Sequence, residues 1–262
     1  MLTRVARRFP LPHLMIAGRF LLLIVLIAGL SACGGGSAPA TEDGVFDPYE
    51  AQNRRVHQFN RGLDRALVRP AAIGYSTVLP DEIEDSIGQF ASNLGEPSVM
   101  VNSLLQGDLR GAGLSTLRFL TNSTLGIFGL ADVAAEFNLP EHDTNFGETL
   151  HVWGAREGPY LELPVLGPST VRDTTGLVVD LFTNPLSYVI DEPERYYGTA
   201  AGVAAGLSTR GRFTETVDSV LYESADSYAQ ARLIYLQNRR FELGADDPGT
   251  EIDPFALDTE GF

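Results

Sequence analysis

The sequence contains no lysine, and its positive charge comes from 19 arginines set against 34 aspartates and glutamates. Four of those arginines lie in the first 32 residues, which contain no acidic residue, so the rest of the chain is more acidic than the whole. Binding to nucleic acid depends on cationic groups that neutralise phosphates, and a chain of this charge repels them. The composition therefore excludes nucleic acid as a partner.

Cysteine and histidine are also scarce. Cys33 is the only cysteine, so the chain can form no internal disulfide and no thiolate metal site. The histidines after it are His57, His142 and His151, and no two are spaced to place metal ligands on one helix face. The chain also lacks a Gly-x-Ser-x-Gly turn, a Walker loop and a dinucleotide fingerprint. The sequence thus predicts no metal, cofactor or catalytic residue.

The single cysteine completes a lipobox. Cys33 ends the stretch Leu30-Ser31-Ala32-Cys33, which follows an apolar run over residues 20–30 and an arginine-rich start. This pattern predicts a lipoprotein signal peptide over residues 1–32, with Cys33 acylated as a lipid anchor that carries palmitate-type chains. Because glycines follow Cys33, rather than the aspartate that often retains lipoproteins at the inner membrane, we expect the outer membrane. The alternative is an ordinary signal peptide with a chance cysteine.

Composition divides the remaining chain into three parts. Residues 33–46 combine the acylated cysteine with a flexible tether rich in glycine, serine, alanine and proline. Residues 47–243 are long enough for one domain with its own core. Residues 244–262 carry acidic and no basic side chains, which predicts an acidic disordered tail.

Apolar spacing within residues 47–243 is mostly helical, so we predict an all-α, single domain of amphipathic helices. We expect a first helix that begins near Asp47 and stops at Arg69-Pro70. A second helix should follow Pro80, a third should open at Pro97 and close at Gly107, and a fourth should be capped by Asp108 and form a hairpin with the third. Residues 213–244 also have helical spacing, and only residues 160–166 are expected to be extended.

Two glycine-rich apolar segments, residues 124–135 and 196–207, allow two interpretations. They are either closely packed core helices or helices embedded partway into one leaflet, as in monotopic proteins. Neither is long enough to span a bilayer, and periodicity does not separate the two interpretations.

Short motifs in a fixed order extend over about residues 47–243, and through them the chain resembles the MlaA (VacJ) family of outer-membrane lipoproteins. The motif positions are Asp47, Pro48, Asn53, Arg54, Phe59, Asn60, Pro97, Asn102, Gln106, Gly107, Asp108, Arg118, Phe119, Asn122, Arg172 and Asp173. Glu84 and Asp85 depart from the family pattern, where a basic residue is common. Arg156 and Glu157 lie in a loop that is often richer in glycine.

The resemblance implies a ring-like, membrane-embedded (monotopic) body in the inner leaflet of the outer membrane, with a polar channel. Such a body passes phospholipids that have strayed into the outer leaflet to a periplasmic carrier, which leads to an inner-membrane ABC transporter. The resemblance also implies a trimeric porin as partner and a mobile channel loop; a plain tight turn is the alternative for that loop. The loop positions are Phe146, Gly147, Trp153, Gly154, Gly158, Pro159 and Tyr160. Two other functions stay open: a porin-associated structural adaptor without a channel, and a phospholipid hydrolase.

Overall fold

The computed structural model describes residues 47–244. The predicted signal peptide, Cys33, the tether and the acidic tail beyond Gly244 lie outside the described residues. The helices are α1 (Glu50–Leu63), α2 (Arg69–Val78), α3 (Asp81–Gln106), α4 (Leu109–Thr124), α5 (Val133–Glu136), α6 (Phe146–Val152), α7 (Val171–Thr183), α8 (Leu186–Val189), α9 (Arg195–Arg212), α10 (Thr214–Asp218) and α11 (Ser227–Glu242). A hairpin of β1 (Tyr160–Leu163) and β2 (Gly167–Thr170) lies between α6 and α7. The described chain is therefore all-α apart from this hairpin, as predicted.

The expected helix stop at Arg69-Pro70 is wrong. A π-helical turn, Asp64–Val68, joins α1 to α2, and Pro70 lies in the first turn of α2. Proline cannot donate a backbone hydrogen bond to the preceding turn, and the wider π turn accommodates that loss without ending the helix. Arg69 also donates to Asp218 at 2.8 Å, which ties this junction to α10.

The prediction that Pro97 opens a new helix is also wrong, because Pro97 lies inside the 26-residue α3. A proline in a helix disturbs the carbonyls of the turn before it. One of them, the carbonyl of Leu94, accepts a hydrogen bond from Asn184 Nδ2 at 3.1 Å. The tertiary contact therefore stabilises a helix that the local sequence would interrupt.

The end of α3 and the start of α4 are as predicted. Gly107 adopts the left-handed conformation with φ of 79° and terminates α3. Asp108 caps α4, where its Oδ1 accepts from the Gly111 amide at 2.9 Å. The two helices pack against each other as the expected hairpin.

The extended segment is shorter than predicted, and it has a partner strand. Strand β1 pairs with β2 in antiparallel register, with Tyr160 opposite Thr170 and Leu163 opposite Gly167. Val165, with φ of 70°, lies in the turn between the strands. The hairpin leads directly into α7, whose first turn is capped by the Thr170 hydroxyl.

Most of the segment 124–135 is not helical, because residues 125–132 lie between α4 and α5, whereas both interpretations expected a helix. After α4 ends at Thr124, residues 125–131 form successive tight turns in which Ile127 and Phe128 have φ of 53° and 59°. Positive φ at a β-branched or aromatic residue is strained. Hydrogen bonds from the Gly129 amide to the Asn122 carbonyl (2.8 Å) and from the Ala131 amide to the Gly126 carbonyl (3.0 Å) hold these turns. The second segment, residues 196–207, is helical within α9.

The distribution of polarity in residues 47–244 is inverted relative to an ordinary soluble domain. Buried side chains are mostly polar or charged, and alanine is the commonest of the few buried apolar ones. Large apolar side chains lie instead on the outside along most helices, including Leu109, Leu117, Leu181 and Phe241. In soluble proteins Leu, Ile, Val and Phe are among the residues most often buried. Within these residues no helix combines the length and apolar character needed to cross a membrane.

Candidate functional site

The first polar cluster of the interior is centred on Asp47, the first residue that the structure describes. Asp47 is buried and accepts hydrogen bonds from Asn53 Nδ2 (2.9 Å), from Arg232 Nη1 (2.7 Å) and from the Tyr228 hydroxyl. Burial, together with the hydrogen bond to Asp47, raises the pKa of Tyr228 and keeps it neutral. This cluster joins the start of the domain to α11.

Two asparagines of α1 form hydrogen bonds with the backbone along the edge of strand β1 that does not pair with β2. Asn53 donates to the Tyr160 carbonyl and accepts from the Glu162 amide, both at 3.0 Å. Asn60 donates to the Leu163 carbonyl at 2.9 Å and accepts from the Val165 amide at 2.7 Å. Because residues seven apart lie on one helix face, the two amides act as a substitute neighbouring strand. This explains why the motif has asparagine at both positions.

A serine, a histidine and a glutamate are arranged like a hydrolase triad, which the sequence did not predict. Ser227 Oγ lies 3.0 Å from His57 Nε2, and His57 Nδ1 lies 3.3 Å from Glu162 Oε1. All three residues are buried. Ser227 is the first residue of α11, and the Asp226 carboxylate caps this helix by accepting from the Ala229 amide. In a hydrolase, backbone amides beside the serine would have to stabilise an oxyanion, and here the carboxylate occupies that position. Tyr160 also donates to Glu162, so the group is a closed hydrogen-bond network.

A second polar cluster joins α3 to α6. Asn102 donates to Asp180 Oδ1 at 2.9 Å and accepts from Thr149 Oγ1 at 3.1 Å. Gln106, one turn later, donates to Thr149 Oγ1 at 2.9 Å. Asp180 also accepts from the Phe146 amide at 2.9 Å and so fixes the start of α6.

Arg118 is the centre of a third cluster, behind the apolar turns of residues 125–131. It is buried and donates to Glu96 (3.1 Å), Asp132 (3.0 Å) and the Leu139 carbonyl (2.7 Å). Burial raises the pKa of Asp132, but hydrogen bonds from Arg118 and Asn122 outweigh it, so the net pKa is lowered. Breaking a buried pair on one side leaves an uncompensated charge, so loss of either partner in this cluster would destabilise the fold.

The predicted loop positions fall into two groups, and helix packing explains the first. Phe146 is buried edge-to-face against Trp153, with ring centroids 5.7 Å apart, and Trp153 Nε1 donates to the Leu105 carbonyl at 3.0 Å. At Gly147 a Cβ atom would lie 2.7 Å from Asp173 Oδ1, so only glycine allows α6 to approach α7 this closely.

The second group forms the connection from α6 to β1. Gly154 has φ of 87°, its amide donates to the His151 carbonyl, and the Ala155 amide donates to the Leu150 carbonyl. These two bonds are a Schellman C-cap. Gly158 has φ of 76°, and the Pro159 carbonyl accepts from the Val171 amide at 3.0 Å. We name residues 154–159 the cover loop.

Asp173, Arg172 and their neighbours lie beneath the cover loop. Asp173 accepts from Thr170, Tyr235 and Arg239. Burial raises its pKa, but the charge of Arg239 and these hydrogen bonds outweigh burial and lower the pKa overall. Arg172 is buried beside it.

The remaining motif residues are peripheral. Arg54 forms an ion pair with Asp226 at 2.8 Å, Pro48 and Phe59 are exposed, and Phe119 is half-buried. Across the described part of the chain, no group of three or more His, Cys, Asp or Glu is placed to hold a metal ion. A cavity of about 470 Å³ opens between α2 and the α9–α10 junction, away from these clusters.

Comparison with known proteins places these features in a family. A Rickettsia felis protein is 43% identical over 145 residues, 55% of this chain and 58% of that protein, so the match spans less than two thirds of that relative. The Escherichia coli K12 intermembrane phospholipid transport system lipoprotein MlaA is 34% identical over 214 residues, 79% of this chain and 82% of its own length. A solved structure described as the structural basis for maintenance of bacterial outer membrane lipid asymmetry is 35% identical with a TM-score of 0.65, covering 75% of this chain and 98% of that one. The profile of the MlaA lipoprotein family matches residues 45–242. On this match and these motifs, the chain belongs to the MlaA lipoprotein family.

Proposed function

We propose that this protein is an outer-membrane lipoprotein that maintains lipid asymmetry by passing mislocalised phospholipids from the outer leaflet to a periplasmic carrier. The observation that carries the proposal is the inverted polarity of residues 47–244, with charged clusters inside and large apolar side chains outside. A lipid headgroup requires a polar path while its tails stay in hydrocarbon. A ring-like monotopic body in the inner leaflet would meet both requirements.

Family membership supports the same assignment. The Escherichia coli relative is named for intermembrane phospholipid transport, and the similar solved structure is described in terms of outer-membrane lipid asymmetry. We propose acylated Cys33 as the anchor, a trimeric porin as the lateral partner, and a soluble carrier that delivers lipid to an inner-membrane ABC transporter. The cover loop would then control passage beside the channel.

Lipid movement in this proposal requires no chemistry from the chain. The arrangement of Ser227, His57 and Glu162 is the one feature that favours the rival phospholipid hydrolase, since its distances suit nucleophile activation. We infer a structural role instead, because the serine is buried and Asp226 occupies the helix start. Incubating the acylated protein with phosphatidylglycerol vesicles should release neither fatty acid nor lysolipid, and a Ser227-dependent release would support the hydrolase.

The test of transport is carrier-dependent extraction. In a strain lacking its own family member, expression of the chain should return outer-leaflet phospholipid to the normal level. In liposomes that contain the acylated protein and a porin, a soluble carrier should extract labelled phospholipid. Porin binding without extraction would support the structural adaptor instead.

A further inference from the structure

Arg172 is a buried cation without a matched acceptor. Its side chain is 4% exposed, and neither Nε nor Nη2 has a hydrogen-bond partner. Nη1 lies 3.4 Å from His151 Nδ1, which can accept only when the imidazole is neutral. The nearest carboxylate oxygen, Asp173 Oδ1, is 3.6 Å from Nε and already accepts from Arg239 Nη2 at 3.2 Å.

The other buried arginines of residues 47–244 are paired differently. Arg118, Arg210, Arg232 and Arg239 each donate a hydrogen bond to at least one carboxylate. Arg172 also lies in the first turn of α7, where the helix dipole disfavours a cation. Burying a charge without a hydrogen-bonded partner is costly. An anion placed at Nε and Nη2 would remove that cost.

The cover loop is hydrogen-bonded to the backbone at Arg172, and residues 154–156 within it are exposed. The Arg172 amide donates to the Glu157 carbonyl at 3.2 Å, and the Val171 amide donates to the Pro159 carbonyl. The Glu157 carboxylate pairs with Arg240 at 3.0 Å, and Arg240 is 47% exposed, so solvent and salt weaken this pair. Gly154 and Gly158 lie near the two ends of the cover loop, and both have positive φ. Glycine restricts backbone rotation less than any other residue.

We propose that Arg172 binds the phosphate of a phospholipid headgroup when the cover loop moves away. The guanidinium presents Nε and Nη2 as a planar fork that matches two phosphate oxygens. Displacing the loop also removes the Glu157 carboxylate from the neighbourhood of the incoming anion. This inference rests on the proposed transport function and identifies the group that recognises its cargo.

The experiment measures lipid binding to the acylated full-length protein in detergent by native mass spectrometry. The probes are dioleoyl phosphatidylglycerol, dioleoylglycerol, which has no phosphate, and inorganic phosphate as a competitor. Arg172→Met should weaken phosphatidylglycerol binding by about tenfold or more, the value of a charged hydrogen bond, and leave dioleoylglycerol binding unchanged. Arg54→Met removes the same charge from an exposed ion pair and should bind as the wild type does. If inorganic phosphate binds in an Arg172-dependent way and phosphatidylglycerol does not, the ligand is free phosphate instead of a headgroup.

Two further results keep the proposal falsifiable. Since Arg172 donates no hydrogen bond to a carboxylate within the fold, Arg172→Met should unfold at the same temperature as the wild type or higher. Glu157→Gln, which leaves Arg172 intact, should strengthen phosphatidylglycerol binding by freeing the loop. Unchanged binding in either variant, or unfolding of Arg172→Met, would overturn the phosphate site. Failure of the wild-type chain to restore lipid asymmetry would instead contradict the proposed function, whatever Arg172 binds.

Discussion

At the scale of single residues, Asp173 makes stability depend on pH. Its pKa in the folded protein is below the usual value, because the charge of Arg239 and two hydroxyl donors outweigh the effect of burial. The unfolded chain binds a proton near the ordinary value of about 3.9. A lowered folded pKa therefore contributes stability that is present above that value and is lost as pH falls through the folded pKa.

We predict that Asp173→Asn lowers the melting temperature at pH 7 and flattens its decline between about pH 5 and 2. The physical reason is that the asparagine side chain does not titrate in this range and has no negative charge to balance that of Arg239. Circular dichroism melts across this pH range measure both effects. The control is Asp143→Asn, an exposed carboxylate, and a decline equally steep in the Asp173 variant would contradict the assignment.

Two exposed apolar residues give a prediction about the membrane. Phe128 and Val203 are 75% and 62% exposed, so a charge at either site disturbs no core packing. We predict that Phe128→Asp reduces flotation of an unacylated Cys33→Ala protein with liposomes, because a lipid-facing charge costs about 2–4 kcal/mol. Gln230→Asp adds the same charge at an exposed polar site and should float normally. A Cys33→Ala protein that does not float even without the second change would contradict embedding of the body.

At the scale of helices and loops, α3 depends on a contact from outside itself. Pro97 lies inside α3, and Asn184 donates to the Leu94 carbonyl of the preceding turn at 3.1 Å. Asn184 follows the last residue of α7 and accepts from the Leu186 amide at 3.0 Å, at the start of α8. This residue therefore joins α3, α7 and α8.

We predict that Asn184→Ala lowers the free energy of unfolding by about 1–3 kcal/mol, since a partly buried carbonyl loses its donor. Chemical denaturation in detergent measures the change. Ser86→Ala removes only an exposed hydroxyl bond to the Glu82 carbonyl and should cost far less. Equal losses of stability in the two variants would contradict a role for Asn184 beside Pro97.

The cover loop gives the second prediction at this scale. Gly154 has positive φ in a C-cap, a conformation that asparagine tolerates and valine resists. We predict that Gly154→Val costs about 1–2 kcal/mol and that Gly154→Asn costs much less. If the loop controls passage, Gly154→Asn combined with Gly158→Asn should raise outer-leaflet phospholipid at normal protein abundance. Normal asymmetry in that double variant would favour the plain tight turn.

Helices were predictable from the sequence where local signals decided the outcome. Gly107 and Asp108 were correctly interpreted because glycine termination and aspartate capping act within a few residues. Pro70 and Pro97 were misjudged because a π-helical turn accommodates Pro70, and the distant Asn184 donates to the turn that precedes Pro97. The motifs located Asn53 and other interior residues, but their partners were not predictable from spacing. Asp47 and Arg232 are 185 positions apart, and only the fold brings them together.

At the scale of the whole molecule, residues 47–244 expose large apolar side chains on most of their helices and bury many polar ones. The tendency of apolar side chains to leave water stabilises an ordinary core; here the same tendency would act between protein and bilayer. The interior is held by hydrogen-bonded ion pairs, which fix geometry well but contribute modest net stability. We therefore expect the isolated body to be less stable in water than in detergent.

We predict that Cys33→Ala removes the acyl anchor and depletes the protein from the outer-membrane fraction. One acyl chain gives only marginal binding, and several give stable anchoring. Palmitate labelling together with membrane fractionation measures the loss, and Ser37→Ala in the predicted tether serves as the control. A Cys33→Ala protein still labelled and still in the outer membrane would contradict the lipobox.

The buried position of Asp47 has a mechanical consequence. Tension applied through the preceding chain reaches Asp47, and its bonds to Tyr228 and Arg232 pass the load directly to α11. The first residue of the domain and its last helix therefore resist a pull together, because the bonds from Asp47 to Tyr228 and Arg232 carry the load in parallel. A helix pulled from a free end would instead give way one turn at a time. If Cys33 is acylated as we propose, the domain would follow lateral drift of that anchor without unravelling at its first helix.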